Sequence, residues 1–273
     1  MVKSYVLING GLGNQMFQYA FILSLRQKGI DAVQDLMLYR WDNPHNGYEL
    51  ERVFGIKEKC ASFNLFHKYS YVLLKRLKSK QVLVDYLDYL PQALQQKFTY
   101  YDGFWQWERY FHDCQNEVKN AFTFKVIDNQ NMELGAQMKC ENSISIHFRR
   151  GDYLNLPRLM VCDDDYYNSA ISYMLEHVEN PMFYVFSNDT KWSDDFMKKL
   201  QVPYRIIDFN QGQNSYRDMY LMTQCKHNII ANSSFSWWGA YLNSCSQKIV
   251  VSPKEWNRRV PSFHPQLDGW VKF

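Results

Sequence analysis

Residues 143–154 read Ser-Ile-Ser-Ile-His-Phe-Arg-Arg-Gly-Asp-Tyr-Leu. The first six residues predict a buried strand, and two adjacent arginines follow it directly. Ligands of an open α/β sheet bind at the carboxyl ends of its strands, and a guanidinium group carries a permanent charge with donors that match phosphate oxygens in pairs. The arginine pair alone would be typical of a solvated loop. Because His147 and Asp152 flank it, we predict that this loop binds a diphosphate.

Strands and helices alternate through the second half of the chain. Short apolar segments predict strands at residues 143–148, 183–186, 204–208, 227–231 and 249–252. The segments after the first four predict helices at residues 165–177, 193–200, 215–225 and 236–243. This alternation is typical of a parallel sheet with helices on both faces. Polar residues gather just after the strand ends, which predicts a ligand crevice along that edge.

The first half of the chain has a different pattern. A strand at residues 5–9 leads through a glycine turn into an apolar helix from about residue 15 to residue 28. From about residue 58 to residue 139 the sequence is aromatic, less regular and mostly helical in pattern. This change predicts two lobes, residues 1–139 and 140–273, with a cleft between them.

Composition restricts the class of protein. The 273 residues are 46% hydrophobic and 22% charged, which excludes a mainly disordered chain. The net charge of +3 comes without a dense basic arm, so nucleic acid is not an expected partner. Six scattered cysteines without a CxxC pair predict neither structural zinc nor a disulfide framework. We expect a cytoplasmic protein, because we recognise no signal peptide and no apolar stretch of about 20 residues.

Residues 65–80 combine basic side chains with apolar and aromatic ones. A basic amphipathic helix of this kind is compatible with peripheral binding to an anionic membrane surface. The solvated face of an ordinary packed helix explains the pattern equally well, and it is the default interpretation.

A glycine-rich turn, Gly-Gly-Leu-Gly-Asn-Gln at residues 10–15, lies between a predicted strand and a predicted helix. Glycines there let the backbone approach a phosphate or a sugar, and the amides at the helix N-terminus point towards such a ligand. The turn is not a dinucleotide fingerprint, because the third glycine of that motif would fall on Met16, and it lacks the Gly-Lys-Ser/Thr of a Walker A loop. It is therefore either a simple tight turn or a backbone cradle that faces the cleft.

A polar cluster, Asn-Ser-Ser-Phe-Ser at residues 232–236, lies between another predicted strand and helix. One such residue is enough to cap the helix. The surplus favours hydroxyl groups that bind an anion together with the helix amides. The following Trp237 and Trp238 are expected to pack the helix on the sheet.

Acidic residues offer several candidate sites. An aspartate at position 189 or 218 could accept the amino and imino protons of guanine, but capping of the nearby helix explains each residue equally well. The acidic run at residues 163–165 could hold a divalent ion against a diphosphate, yet acidic residues also stabilise a helix N-terminus. Since two arginines and a helix N-terminus are available for the phosphates, we expect no metal.

Four motifs together resemble the α-1,2-fucosyltransferases of glycosyltransferase family 11, in their compact bacterial form. They are Gly-Gly-Leu-Gly-Asn-Gln-Met-Phe-Gln-Tyr-Ala at residues 10–20, His-Phe-Arg-Arg-Gly-Asp-Tyr at 147–153, Phe-Ser-Asn-Asp at 186–189 and Asn-Ser-Ser-Phe-Ser-Trp-Trp-Gly-Ala-Tyr-Leu at 232–242. They occur in the order found in the family, with little recognisable between about residue 55 and residue 140.

The resemblance implies a GT-B-like α/β fold with two Rossmann-like lobes, a GDP-β-L-fucose donor, inversion at the anomeric carbon and no essential metal or other cofactor. Lobe 140–273 would bind the donor, and lobe 1–139 would face a terminal β-galactoside acceptor. The donor contacts implied by the matching motifs involve Gly13, Asn14, His147, Arg149, Arg150, Asp189, Asp218, Ser233, Ser234, Phe235 and Ser236. Of these, Arg149, Arg150 and the serines would meet the phosphates, and Gly13 and Asn14 would face both donor phosphate and acceptor. His147, Asp189 and Asp218 would lie at the nucleoside.

The implied reaction needs a base for the acceptor hydroxyl and stabilisation of the departing GDP. Asp152 is the candidate base from its place in the motif, with orientation of Arg150 as its alternative role. Arg150 is the candidate catalytic cation. Two other functions stay open: a glycosyltransferase for another nucleotide sugar or linkage, and a non-catalytic protein that binds a nucleotide or a glycan. A hydrolase is not favoured, because no pair of carboxylates has the required spacing.

Overall fold

A computed structural model gives the fold of residues 3–40, 45–58, 60–61, 65–151 and 156–273. The chain forms two compact units, Met1–Lys125 and Val126–Phe273, and each is built on a parallel β-sheet of its own. In these ranges, no helix combines the length and the hydrophobicity that a membrane span requires.

The first unit contains a four-stranded sheet. Its strands are β1 (Ser4–Leu7), β2 (Ala32–Asp35), β3 (Val82–Val84) and β4 (Tyr100–Asp102), in the spatial order β2-β1-β4-β3. Its helices are α1 (Leu12–Gln27), α2 (Leu50–Phe54), α3 (Leu65–Arg76), α4 (Gln92–Gln95) and α5 (Gln115–Ala121). Short 3-10 helices occupy Met37–Arg40, Glu108–Tyr110 and His112–Cys114.

Helix α1 lies in the core of the first unit. Its side chains are buried on nearly every side, and the ring of Phe21 stacks on that of Trp105 with 4.3 Å between their centroids. A helix that is apolar all round belongs in a core, so this part of the prediction is confirmed. The helix begins at Leu12 rather than near Gln15, because Gly11 already serves as its N-cap.

Strands β3 and β4 lie in the region whose pattern predicts mostly helix. Each has three residues, which is too short for the alternation that identifies a strand in a sequence. Strand β4 nevertheless pairs with both β1 and β3. The sequence missed these two strands because long-range pairing, and not local pattern, defines them.

The second unit contains a six-stranded sheet. Its strands are β5 (Ser143–Phe148), β6 (Met182–Ser187), β7 (Tyr204–Ile207), β8 (His227–Ile229), β9 (Val250–Ser252) and β10 (Val271–Lys272). Its helices are α6 (Asn129–Cys140), α7 (Asp164–His177), α8 (Thr190–Leu200), α9 (Tyr216–Gln224) and α10 (Ser234–Leu242). Strand β5 has the predicted bounds, and each other strand or helix predicted here overlaps an observed one.

The strand order of this sheet is β10-β9-β8-β5-β6-β7, and all its pairs are parallel. Counted from β5, this is the doubly wound order 3-2-1-4-5-6 of a dinucleotide-binding fold. The chain runs outward from β5 to β7 and then returns to β8 on the other side of β5. The topological switch point therefore lies between β5 and β8, which is where ligands bind in such sheets.

Helices cover both faces of the six-stranded sheet, as predicted. Helices α7 and α8 pack on the face that carries Ile144, Ile146 and Phe148. Helices α6 and α9 pack on the opposite face with Tyr184 and Phe186. Because α6 belongs to this core, the division between the units falls at residues 125/126 and not at the 139/140 boundary that composition suggests.

Candidate functional site

The arginine pair and the serine cluster follow neighbouring strands. Strand β5 ends at Phe148 and continues into Arg149 and Arg150. Strand β8 pairs with β5 and leads to Ser233 at the start of α10. The structure thus places two motifs that are far apart in sequence on adjacent loops at the switch point of the sheet.

Contacts from the loop after β6 hold Arg150. Its guanidinium carbon lies 3.9 Å from the centroid of the Trp192 ring, a close cation–π contact. Its Nε lies 4.0 Å from Asp189 Oδ2, and its backbone N–H donates to Asn188 Oδ1 at 3.1 Å. The charge is therefore positioned by protein groups and does not depend on a ligand for its orientation.

Gly151 allows this loop to approach β6 closely. A Cβ atom at Gly151 would lie 2.3 Å from Asn188 Nδ2, so a larger residue would displace the side chain that accepts from Arg150. Asn188 belongs to the motif at residues 186–189, whereas no sequence pattern singles out Trp192.

The ring of His147 is buried, and one of its nitrogens has no hydrogen-bond partner among the described residues. The residue is 7% exposed, and its Nδ1 has no hydrogen-bond partner among the described residues. Burial, with a further contribution from the positive charge of Arg149, lowers the pKa of His147 to about 3. The imidazole is therefore neutral at physiological pH, with a nitrogen available to a ligand. Its ring centroid lies 6.1 Å from that of Phe235.

Asp218 lies in the first turn of α9, on the face of the sheet that α6 and α9 cover. Its Oδ1 accepts a hydrogen bond from Asn210 Nδ2 at 2.9 Å, and Asn210 also donates to Asn131 Oδ1 at 2.8 Å. Burial raises the pKa of Asp218 to about 7, although the bond from Asn210 opposes the shift. A half-buried carboxylate with a raised pKa favours ligands that bring further hydrogen-bond donors.

Asp189 and Asp163 cap helices. Asp189 caps α8 by accepting from the N–H of Trp192 at 3.2 Å, and Asp163 caps α7 by accepting from the N–H of Tyr166 at 3.0 Å. A nucleoside contact of Asp189 stays a prediction. Within the described part of the chain, no group of three or more His, Cys, Asp or Glu side chains could hold a metal.

Several side chains of the serine cluster are used within the protein. Ser233 caps α10 and accepts from the N–H of Phe235 at 3.3 Å. Asn232 donates to the carbonyls of Leu159 and Trp256 at 2.9 and 3.0 Å. The Ser236 hydroxyl is buried and donates within the loop. The backbone amides at the start of α10 are therefore the groups of this cluster that suit an anion.

The packing role expected for the tryptophan pair is confirmed. Trp237 and Trp238 are fully buried, and Trp237 Nε1 donates to the carbonyl of Pro265 at 2.8 Å. Gly239 follows directly and packs against helix α9, because a Cβ there would lie 2.9 Å from Met222 Cβ. These contacts fix the N-terminus of α10 relative to the sheet.

The glycine turn of the first unit is held by its own helix. Gly10 has a φ of 76°, and a Cβ there would lie 2.6 Å from Asn14 Nδ2. The Gly10 carbonyl accepts from Gln15 Nε2 at 3.0 Å, and Asn14 Oδ1 accepts from Gln106 Nε2 at 2.7 Å. Gly13 and Asn14 lie in the first turn of α1 and not in the loop. Their contact with a donor or an acceptor stays a prediction.

Asp152 lies outside the described residues. Its role as the base therefore stays a prediction, as does its alternative role in orienting Arg150.

A family model described as Glycosyl transferase family 11 matches residues 3–262. The chain belongs to this family. The resemblance inferred from the four motifs is thereby confirmed, and the protein is a glycosyltransferase related to the fucosyltransferases.

Curated members of the family cover most of the chain. An Escherichia coli alpha-1,2-colitosyltransferase is 34% identical over 96% of both chains, and the E. coli O-antigen biosynthesis glycosyltransferase WbnK is 30% identical over 98% of this chain and 99% of that one. Human galactoside alpha-(1,2)-fucosyltransferase 1 is 26% identical over 86% of this chain and 64% of its own length. These relatives are named for the transfer of different sugars, colitose in one case and fucose in the other.

A solved structure supports the fold. The Bradyrhizobium fucosyltransferase NodZ aligns with a TM-score of 0.51 and 14% identity, over 87% of this chain and 91% of that one. At this identity the likeness concerns the fold alone. Together with two parallel α/β units, it confirms the predicted GT-B-like fold class.

Proposed function

We propose that the protein transfers L-fucose from GDP-β-L-fucose to the 2-hydroxyl of a terminal β-galactoside, with inversion at the anomeric carbon. The observation that carries this proposal is the placement of Arg149, Arg150 and the N-terminus of α10 on adjacent loops at the switch point of the second sheet. Such a site suits a diphosphate, because guanidinium groups and helix amides both stabilise phosphate oxygens.

The nucleoside would lie on the face of the sheet that carries His147 and Asp218. Guanine presents an N1–H and an amino group side by side, and a carboxylate accepts both at once. Asp218 has one bond from Asn210, and bonds from guanine would favour its ionised form. The unpartnered nitrogen of His147 and the nearby ring of Phe235 offer a further hydrogen bond and a stacking surface.

The reaction is a single displacement. The acceptor 2-hydroxyl loses its proton to a base, for which we propose Asp152, and its oxygen forms a bond to the anomeric carbon. The bond between that carbon and the diphosphate oxygen breaks, and GDP leaves with the electron pair. Arg149, Arg150 and the α10 N-terminus stabilise the charge that develops on GDP. Gly13 and Asn14 of the first unit would contribute to the acceptor side, and no metal would be required.

A second donor is favoured by one observation. The 34% identical relative is named as a colitosyltransferase, and colitose is L-fucose without its 3-hydroxyl group. Pocket contacts that distinguish the two sugars therefore decide the donor. Comparing kcat/KM for GDP-fucose and GDP-colitose separates these alternatives, and a higher value for GDP-colitose would replace fucose in the proposal.

The acceptor belongs in surface polysaccharide synthesis, which the name of WbnK supports by analogy. Incubation of the protein with GDP-fucose and a panel of β-galactosides, followed by NMR of the product linkage, tests this directly. Lactose is the simplest acceptor in the panel. Binding of GDP without transfer to any galactoside would favour the non-catalytic alternative, and tighter binding of UDP than of GDP in calorimetry would favour a different nucleotide sugar.

Variants of the arginine loop test the mechanism. Arg150→Ala is expected to lower kcat by at least about a hundredfold, because it removes a charge that stabilises the leaving group, while the melting temperature stays close to that of the wild type. Arg259→Ala, at an exposed position of the same unit, is the matched control and should retain activity.

Asp152→Asn should lose transfer but keep GDP affinity, because the proposed base is removed while the phosphate contacts remain. Loss of GDP affinity would instead assign Asp152 the role of orienting Arg150.

A further inference from the structure

Helix α3 carries apolar side chains on two opposite faces. On its inner face, Tyr71 and the partly buried Leu74 pack against the first sheet with Leu7, Met37 and Tyr100. The Tyr71 hydroxyl donates to Asp102 Oδ2 at 2.7 Å. The helix is therefore anchored to its own unit by one face, and that face accounts for only part of its apolar residues.

The outward face is apolar as well. Tyr69, Val72 and Leu73 are 63%, 46% and 57% exposed, and Leu77, one residue beyond the helix, is 67% exposed. Residues three and four apart share one side of a helix, so Tyr69, Val72 and Leu73 form one continuous patch. Single exposed apolar residues need no explanation, but contiguous ones mark an interaction surface.

Positive charge surrounds this patch. Arg76, Lys78 and Lys80 are exposed at the end of the helix, and residues 65–80 contain no acidic residue. Lys75 is turned the other way, because it pairs with Asp102 beside Tyr71. The outward face of α3 thus combines apolar side chains with basic residues that no acidic residue of this segment balances. Such a face is complementary to an anionic lipid surface, because the headgroups attract the cations and the acyl boundary accepts the apolar side chains.

We propose that the outward face of α3 docks the protein on an anionic phospholipid bilayer. Tyr69, Val72 and Leu73 enter the interface, while Arg76, Lys78 and Lys80 lie among the headgroups. A second copy of this chain is a poorer occupant, because a symmetric contact would bring identical positive charges together. The proposal does not depend on which sugar is transferred, since α3 belongs to the first unit and the arginine loop to the second.

Flotation of the full-length protein tests the proposal. The probes are vesicles of phosphatidylcholine mixed with phosphatidylglycerol, and vesicles of phosphatidylcholine alone. The wild type is expected to float with the anionic vesicles and much less with the neutral ones. The triple variant Tyr69→Ser, Val72→Ser, Leu73→Ser is expected to lower the partition coefficient by at least about tenfold. A matched triple variant at exposed apolar positions of the second unit, Val126→Ser, Met132→Ser, Leu175→Ser, should float like the wild type.

The charge contribution has its own variants. Arg76→Gln, Lys78→Gln and Lys80→Gln are each expected to lower the partition coefficient by about fivefold, and added salt should weaken binding of the wild type. Lys139→Gln, Lys198→Gln and Lys199→Gln, at exposed sites of the second unit, are the controls. Unchanged melting temperature and unchanged transfer to a soluble galactoside show that the fold is intact.

Three results would overturn the proposal. The wild type could fail to float with anionic vesicles, it could float equally with neutral ones, or the apolar triple variant could float as well as the wild type. If size-exclusion chromatography instead showed a wild-type dimer that the triple variant abolishes, without vesicle binding, the patch would be a self-association surface.

Discussion

Arg150 shows how a single charged residue is prepared for an anion. Its guanidinium lies over Trp192 and near Asp189, and neither partner neutralises it as a close ion pair would, since the separation from Asp189 is 4.0 Å. A phosphate can therefore bind without first breaking a strong bond. The sequence predicted Arg150 from its place after a strand. Trp192 was not predictable in the same way, because its contact with Arg150 depends on how α8 packs beside the loop.

The raised pKa of Asp218 should make the free energy of unfolding depend on pH. Because burial raises it to about 7, the folded state holds a proton that the unfolded state releases near pH 4. The contribution of Asp218 to the free energy of unfolding should therefore fall as pH rises from about 4 to about 7, and it should level off above that. Asp218→Asn should lose this contribution to the pH dependence, as measured by thermal unfolding across the range.

The proposed contact of guanine with Asp218 should also make GDP affinity depend on pH. Guanine needs the ionised carboxylate, so affinity measured by calorimetry should rise as pH increases through about 7 and then level off. Asp218→Asn should bind GDP weakly at every pH. A wild-type affinity that is flat through this range would show that Asp218 does not accept from the base.

At the scale of elements, the arginine loop depends on close packing between the ends of β5 and β6. Asn188 accepts from the Arg150 backbone, and Gly151 leaves room for the Asn188 side chain. The prediction of β5 succeeded because Ile144, Ile146 and Phe148 alternate with polar residues along this buried strand, which is the period of a strand. The tight contact with β6 was not visible in the sequence, since it joins two loops separated by a whole helix.

Gly151→Ala tests this contact between elements. The added Cβ would lie 2.3 Å from Asn188 Nδ2, so the Asn188 side chain must move, which weakens the hydrogen bond that it accepts from the Arg150 backbone. We expect GDP affinity to fall by about tenfold, equivalent to about 1.4 kcal/mol, with a smaller change in melting temperature. Gly269→Ala is the control, because a Cβ there meets nothing within 4 Å. Equal GDP affinities for the two variants would contradict this account of the loop.

At the scale of the whole molecule, each of the two units carries some of the candidate groups. The second unit supplies the arginine pair, His147, Asp218 and the helix N-terminus around one switch point. The first unit supplies the glycine turn and the outward face of α3. The two guanidinium groups and the helix amides of the second unit can stabilise the negative charge of a diphosphate. We therefore expect that transfer needs no metal ion.

We expect transfer to continue at an unchanged rate in the presence of EDTA. Arg149, Arg150 and the N-terminus of α10 would balance the charge on GDP that a divalent ion balances in other transferases. The measurement is initial transfer rate with and without EDTA, followed by addition of Mg²⁺ or Mn²⁺. A rate that falls in EDTA and is restored by either ion would show that these groups are not sufficient.

The sequence by itself determined the α/β class, most of the second sheet and the residues expected at the diphosphate. Those features arise from local pattern, since strand burial, helix starts and charged loops leave their marks within a few residues. Only the tertiary structure decided the strand order that makes β5 and β8 neighbours, the existence of β3 and β4, the contact of Trp192 with Arg150 and the apolar outward face of α3. Each of these depends on which distant segments pack together, and packing between distant segments has no local signal.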